Sequence, residues 1–229
     1  MKSRWLPAAT ALTLAGILGC GALGFLVYRL APQAKTVAES LPPAQPLRDS
    51  APLPSNHPIP ETLPEISLPD SNGTPHRLSE WTGKPLVLNF WATWCEPCRR
   101  EIPLLEELRR ENHGNGFEIV GIAIDHRDSV TKYVQEMKID YPVLVGERGG
   151  LEAAAAFGME PVLPFSVFAD AQGRIVTLKI GELHRDEAAF ILARLADVGA
   201  GRLGLQAARA QIDAAMQRLA VSRAAAGGD

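Results

Sequence analysis

The chain has 229 residues, a net charge of −3 and only three cysteines. No basic stripe interrupts the mixed charges, so there is no electrostatic footprint for nucleic acid. The two cysteines of the polar part, Cys95 and Cys98, are too close in sequence to staple a fold, which must therefore rest on an ordinary buried core.

In chain order, the first predicted element is a membrane-spanning helix within residues 1–30. Lys2 and Arg4 precede Leu6–Tyr28, which runs 23 residues without a charge. At ~1.5 Å per residue such a helix reaches ~34 Å, enough to cross a bilayer and longer than the ~7–15 apolar residues of a cleaved secretory signal. The cations at its start predict a cytoplasmic N-terminus and an exported remainder, hence single-pass anchoring in the inner membrane with the domain outside the cytoplasm. A second reading is open: Ile17-Leu18-Gly19-Cys20-Gly21 is similar to a lipoprotein cleavage box, with Cys20 the lipidated residue. Residues 31–62 follow as a proline-rich spacer, and nine of the eighteen prolines lie between Pro32 and Pro64. Such a segment favours extended conformations of ~3.1 Å per residue, holding the domain away from the bilayer.

Residues 63–199 have the size of one domain. Leu86–Trp91 and Phe117–Ile124 are near-continuous apolar runs, the pattern of central strands buried on both faces. Tyr141–Val145 is a shorter strand, and Phe165–Ala169 with Ile175–Ile180 reads as a hairpin turning at Asp170-Ala171-Gln172-Gly173. Helical spacing is seen over Arg99–Arg110, at Val130, Tyr133, Val134 and Met137 with Ser129 as cap, and at Ala188, Ile191, Leu192, Leu195 and Val198. The resulting order, β–α–β–α–β–α–β–β–α, is an α/β fold with a mixed sheet flanked by helices. Residues 200–229 form an alanine-rich extension in which Leu205, Ala208, Ile212, Ala215 and Leu219 mark one helical face, expected to dock on the domain itself.

Between the first strand and the first helix stands Trp94-Cys95-Glu96-Pro97-Cys98. A strand that delivers two cysteines to the first turn of a helix suits thiol–disulfide exchange, because the helix N-terminus stabilises a thiolate. Cys95 is the expected nucleophile and Cys98 the resolving cysteine. The same spacing also suits half a zinc site, but no second ligand pair accompanies it, and His57, His76, His113, His126 and His184 are scattered. No metal is therefore expected. Glu101 occupies the first place of an i, i+3, i+4, i+7 series completed by Leu104, Leu105 and Leu108, on the side of Cys98. A carboxyl there is costly to ionise, so its pKa should rise and fit it to pass a proton to or from Cys98. The alternative is a solvated glutamate, turned outward by a kink at Pro103. Glu96, beside Pro97 and between the cysteines, is a like charge that should oppose a Cys95 thiolate and favour a reductant. Trp91 and Trp94 are candidates for shielding the pair and for an apolar docking surface. Asp125-His126 should fall at the same sheet edge as the dithiol.

The segment Phe90-Trp91-Ala92-Thr93-Trp94-Cys95-Glu96-Pro97-Cys98-Arg99-Arg100-Glu101 resembles the active-site segment of the membrane-anchored TlpA/ResA group, relatives of the cytochrome c maturation thioredoxins, and the likeness spans roughly Leu63 to Val198. It implies a thioredoxin-like fold and an extracytoplasmic reductase with no cofactor beyond its redox-active Cys95–Cys98 disulfide. Electrons would come from a membrane dithiol donor of the CcdA/DsbD kind and pass to oxidised client proteins, typically apocytochrome c or copper-site assembly proteins. It also implies a functional acid at Glu101. In Val162-Leu163-Pro164-Phe165, it places Pro164 in a cis-proline loop opposite the dithiol, where Leu163 pairs strand-like with a substrate; Pro161 is the alternative loop proline. Pro164-Phe165-Ser166 departs from the group's Pro-Thr-Thr and leaves client preference open. Two rival functions remain: a dithiol oxidase that introduces disulfides, and a non-catalytic copper or haem-handling chaperone using the cysteines as ligands.

Overall fold

The apolar run Leu86–Trp91 becomes β3, buried along its whole length because the sheet is covered on both faces. In this computed structural model, residues 59–111, 116–160 and 162–226 are described. A short hairpin comes first, β1 (Ser67–Pro69) against β2 (Pro75–Arg77), then a 3-10 turn at Leu78–Trp81 and β3. There follow α1 (Glu96–Glu111), β4 (Glu118–Ala123), α2 (Arg127–Met137), β5 (Val143–Val145) and α3 (Glu147–Ala156). The hairpin β6 (Phe165–Ala169) and β7 (Ile175–Ile180), then α4 (Arg185–Gly199) and α5 (Leu205–Ala226), complete the chain.

Five strands form one sheet in the order β5-β4-β3-β6-β7. β3 runs parallel to β4 and antiparallel to β6, and β4 runs parallel to β5. The mixed sheet expected from the sequence is thus present. Alternation along β3 divides the core: Leu86, Leu88 and Phe90 pack with Phe157 and Phe165, while Val87 and Trp91 belong to a second cluster with residues of α1, α2, α4 and α5. The β6–β7 turn is held by the Asp170 carboxylate, which accepts from the Gln172 and Arg174 backbone N–H groups at 3.0 and 2.9 Å and from Arg174 Nε at 2.7 Å. Gly173 completes the turn at φ +74°, a conformation that suits glycine. Parallel β3 and β4 carry the chain to the same edge of the sheet, and the dithiol, the end of β4 and its following loop meet there.

Several local expectations change. α1 begins at Glu96, with both cysteines at its start as expected, three residues before helical spacing registers in the sequence, and it continues through Pro103. α2 starts at Arg127 with His126 as its N-cap, so Ser129 lies inside the first turn. The His126 carbonyl already accepts the Val130 N–H at 3.1 Å, which settles where the helix starts. The β1–β2 hairpin had no counterpart in the sequence reading. Glu61 and Thr62, assigned to the spacer, already belong to the domain: the Ile175 N–H donates to the Glu61 carbonyl at 2.9 Å, and Thr62 bridges Arg174. The extension 200–229 contains α5, whose Ala208, Ile212 and Ala215 are buried, with Ala208 and Ile212 joining the core that contains Trp91. The expected membrane-spanning segment 6–28, Cys20, most of the expected spacer, His57, His113 and Pro161 lie outside the described residues. Among the described residues no helix is long and apolar enough to cross a membrane.

Candidate active site

Cys95 closes the β3–α1 loop as the N-cap of α1. Its carbonyl accepts the Arg99 N–H at 3.1 Å, and its sulfur accepts the Cys98 N–H at 3.3 Å. That sulfur stands where a serine oxygen caps an ordinary helix. A backbone donor aimed at the sulfur, together with the helix dipole, stabilises a thiolate there. Cys95 and Cys98 are joined as a disulfide. Cys95 retains 6% exposure and Cys98 none, so an incoming sulfur meets Cys95 first.

One turn after Cys98 on the same face is Glu101, only 1% exposed. It is not turned outward, as a kink at Pro103 would have required. Both carboxyl oxygens are held: Oε1 accepts from Asn89 Nδ2 and Oε2 from the Leu183 N–H, each at 2.6 Å. Burial pushes its pKa up from 4.5 to about 7, against the lowering effect of these two donors and of the Lys179 cation; the nearby Glu182 carboxylate adds to the rise. A carboxyl that exchanges its proton near neutral pH, beside a buried cysteine, can serve as that cysteine's acid and base. Asn89 also donates to Ser166 Oγ at 3.1 Å across the β3–β6 pairing, while its own Oδ1 is buried without a partner. Asn89 was missed at the sequence level, although a lone amide inside the run Leu86–Trp91 was its signal.

The remaining expected residues surround this pair. Trp94 is 70% exposed beside Cys95, whereas Trp91 is fully buried and tilted against Tyr133 at 5.6 Å. Trp91 is therefore a core residue, and only Trp94 offers surface to a client. Glu96 is exposed and pairs with Arg100 at 3.3 Å, so its charge is shared rather than directed at Cys95. Pro97 is half-buried in the first turn of α1. Leu163 and Pro164 are joined by a cis peptide immediately before β6; Leu163 is partly buried and Pro164 buried. Asp125, buried at the end of β4, accepts from the Thr93 N–H at 3.0 Å and from Thr93 Oγ1 at 2.5 Å. It therefore braces the loop that presents Trp94 and Cys95 rather than lining a client groove. His126 is exposed and pairs with Glu147 at 2.9 Å. Among the described residues no group of three or more His, Cys, Asp or Glu side chains stands where a metal could bind.

A cysteine pair capping a helix on a mixed sheet, with a buried carboxyl behind it, defines a thiol–disulfide exchange protein of thioredoxin-like fold. Comparison with known proteins agrees. The chain belongs to the Redoxin family, whose profile matches residues 59–192. It is 30% identical over 127 residues to the thiol-disulfide oxidoreductase ResA of Geobacillus thermodenitrificans, covering 55% of this chain and 71% of that one. ResA of Bacillus anthracis is 32% identical over 130 residues, covering 56% and 73%. Among solved structures, a putative thiol:disulfide interchange protein DsbE from Chlorobium tepidum superposes with a TM-score of 0.54 at 26% identity, over 60% of this chain and 97% of that one. A secreted thiol-disulfide isomerase from Corynebacterium glutamicum gives 0.54 at 28%, over 59% and 85%. The protein is thus a thiol-disulfide oxidoreductase of the ResA/DsbE type.

Proposed function

We propose that the protein is a membrane-tethered reductase acting outside the cytoplasm, which opens disulfides in particular client proteins and is itself re-reduced by a membrane dithiol donor of the CcdA/DsbD kind. The Cys95 thiolate attacks one sulfur of the client disulfide, forming a mixed disulfide and releasing the client's other sulfur, which takes a proton. Cys98 gives its proton to the Glu101 carboxylate and attacks Cys95 sulfur. The Cys95–Cys98 disulfide forms as the second client sulfur leaves, and that sulfur is protonated in turn. Two electrons and two protons move from the dithiol to the client, and no cofactor enters the scheme.

The observation that carries this reading is Glu101, buried one turn behind Cys98 with both oxygens held by donors. An anion there disfavours the Cys98 thiolate. Strong oxidants work the opposite way, by stabilising their reduced form. The uncharged run Leu6–Tyr28 supports the membrane tether, and the likeness to a secreted isomerase of Corynebacterium glutamicum supports an extracytoplasmic setting. Apocytochrome c and copper-site assembly proteins are the client class that the ResA likeness favours. Trp94 and the Leu163–Pro164 segment would receive the client chain.

The testing experiment is a trap. The reduced full chain carrying Cys98→Ser, mixed with an oxidised client peptide, should accumulate a mixed disulfide at Cys95. Release of the reduced peptide at the wild-type rate by this variant would overturn the two-cysteine scheme.

A further inference from the structure

The family match ends at residue 192, yet a continuous set of ion pairs and hydrogen bonds runs from α5, well beyond that limit, to Glu101. Arg223 of α5 donates to Glu187 Oε1 and, at 3.1 Å, to Asp186. Glu187 is 3% exposed in the first turn of α4, and its other oxygen accepts the His184 N–H at 3.0 Å and faces Lys179 Nζ at 3.5 Å. Lys179 in turn donates to the Ile180 carbonyl at 2.9 Å and the Glu182 carbonyl at 3.1 Å, gripping the loop that follows β7. That loop presents the Leu183 N–H to Glu101, and Arg100 steadies it from outside with 2.9 and 2.7 Å bonds to Glu182. Its Gly181 N–H also reaches the Pro164 carbonyl at 2.8 Å. One loop therefore touches the proton-exchanging carboxyl on one side and the client-facing segment on the other.

We propose that Arg223 and Lys179 are positioning residues through which the C-terminal helix holds the 181–184 loop against Glu101 and so sets proton exchange at Cys98. This rests on the reading of Glu101 given above. The physical reason is the buried Glu187 carboxylate, which is shared by two cations. Without Arg223, Glu187 draws the Lys179 ammonium to itself and away from the loop carbonyls. The loop then holds its N–H less firmly on Glu101, and the carboxylate form loses support from both the donor and the cation. The groups facing Glu101 are few. They are the Asn89 amide from β3, which is itself bonded to Ser166 of β6, Cys98 from its own helix, Lys179 from β7, and Glu182 and the Leu183 N–H from the loop. Tyr141 is also within electrostatic reach, but its phenol is pushed well above its usual range by burial and stays neutral.

The test is the reduction potential of the Cys95–Cys98 pair as a function of pH, in the full chain with Cys20→Ala, read at the active-site peptide by mass spectrometry. Wild type should show a change of slope near pH 7 that Glu101→Gln abolishes. Arg223→Gln, and a chain ended after Ser222, should each move that change of slope upward by roughly half to one pH unit. Arg223→Lys should restore part of the shift. Arg202→Gln, which breaks only the exposed pair with Asp197, should leave the profile unchanged. If Glu101→Gln abolishes the inflection while folded Arg223→Gln and the truncated chain leave it in place, the relay is wrong and the Glu101 reading stands. If Glu101→Gln leaves the wild-type profile intact, the Glu101 reading itself fails and the relay with it.

Discussion

Replacing Glu101 by glutamine removes a titration that the fold pays for in stability. Below the ordinary carboxylate value of 4.5, folded and unfolded chains both carry the proton, and the group contributes no pH dependence. As pH rises, the unfolded chain ionises first, whereas the buried carboxyl keeps its proton until about 7. Folding stability is thus fully present below 4.5 and falls through this window. The gap of about 2.5 pH units, at about 1.4 kcal/mol each, amounts to roughly 3–4 kcal/mol. The glutamine variant lacks that fall. Its amide can be accommodated because Asn89 has a partnerless Oδ1 to offer once its own amide turns. Guanidinium unfolding of the oxidised chain between pH 4 and 8 measures both curves. A Glu101→Gln curve that falls in parallel with wild type would refute the argument, because some other group would then carry the pH dependence.

Three further substitutions test the frame around the site. Asp125→Ala removes two bonds to Thr93 and should cost roughly 1–3 kcal/mol while slowing mixed-disulfide formation at Cys95, measured by unfolding and by thiol trapping. Gly121→Ala would set a methyl 2.9 Å from Trp91 Nε1 and 3.2 Å from Tyr141 Cε2, so calorimetry should find a loss of about 1–3 kcal/mol. Ile212→Ala should lose about 2–5 kcal/mol by denaturant unfolding if α5 is part of the core, and almost nothing if α5 merely rests on the surface.

The mixed sheet was legible in the sequence because its central strands, β3 and β4, are buried on both faces and read as unbroken apolar runs. The dithiol was legible because two cysteines in a helix's first turn have few structural uses. Glu101 could be found as a charged residue interrupting a leucine series. Its partners could not all be found that way: the Leu183 N–H is a backbone donor, brought in by a loop 82 positions away and invisible to side-chain pattern. Asn89 was readable as a lone amide within β3 and was overlooked. The hairpin β1–β2 is only three residues per strand, too short for alternation to register. Asp125 was correctly placed at the dithiol edge, but its bond to Thr93 depends on a loop conformation that spacing does not encode.

The central claim is that this pair works as a reductant, and its reduction potential tests that most directly. The full chain with Cys20→Ala, equilibrated against dithiothreitol and glutathione buffers at pH 7, should give a value below about −250 mV, near that of thioredoxin. A value near −120 mV, as for the strong disulfide-introducing oxidants, would contradict the reductase and favour the oxidase.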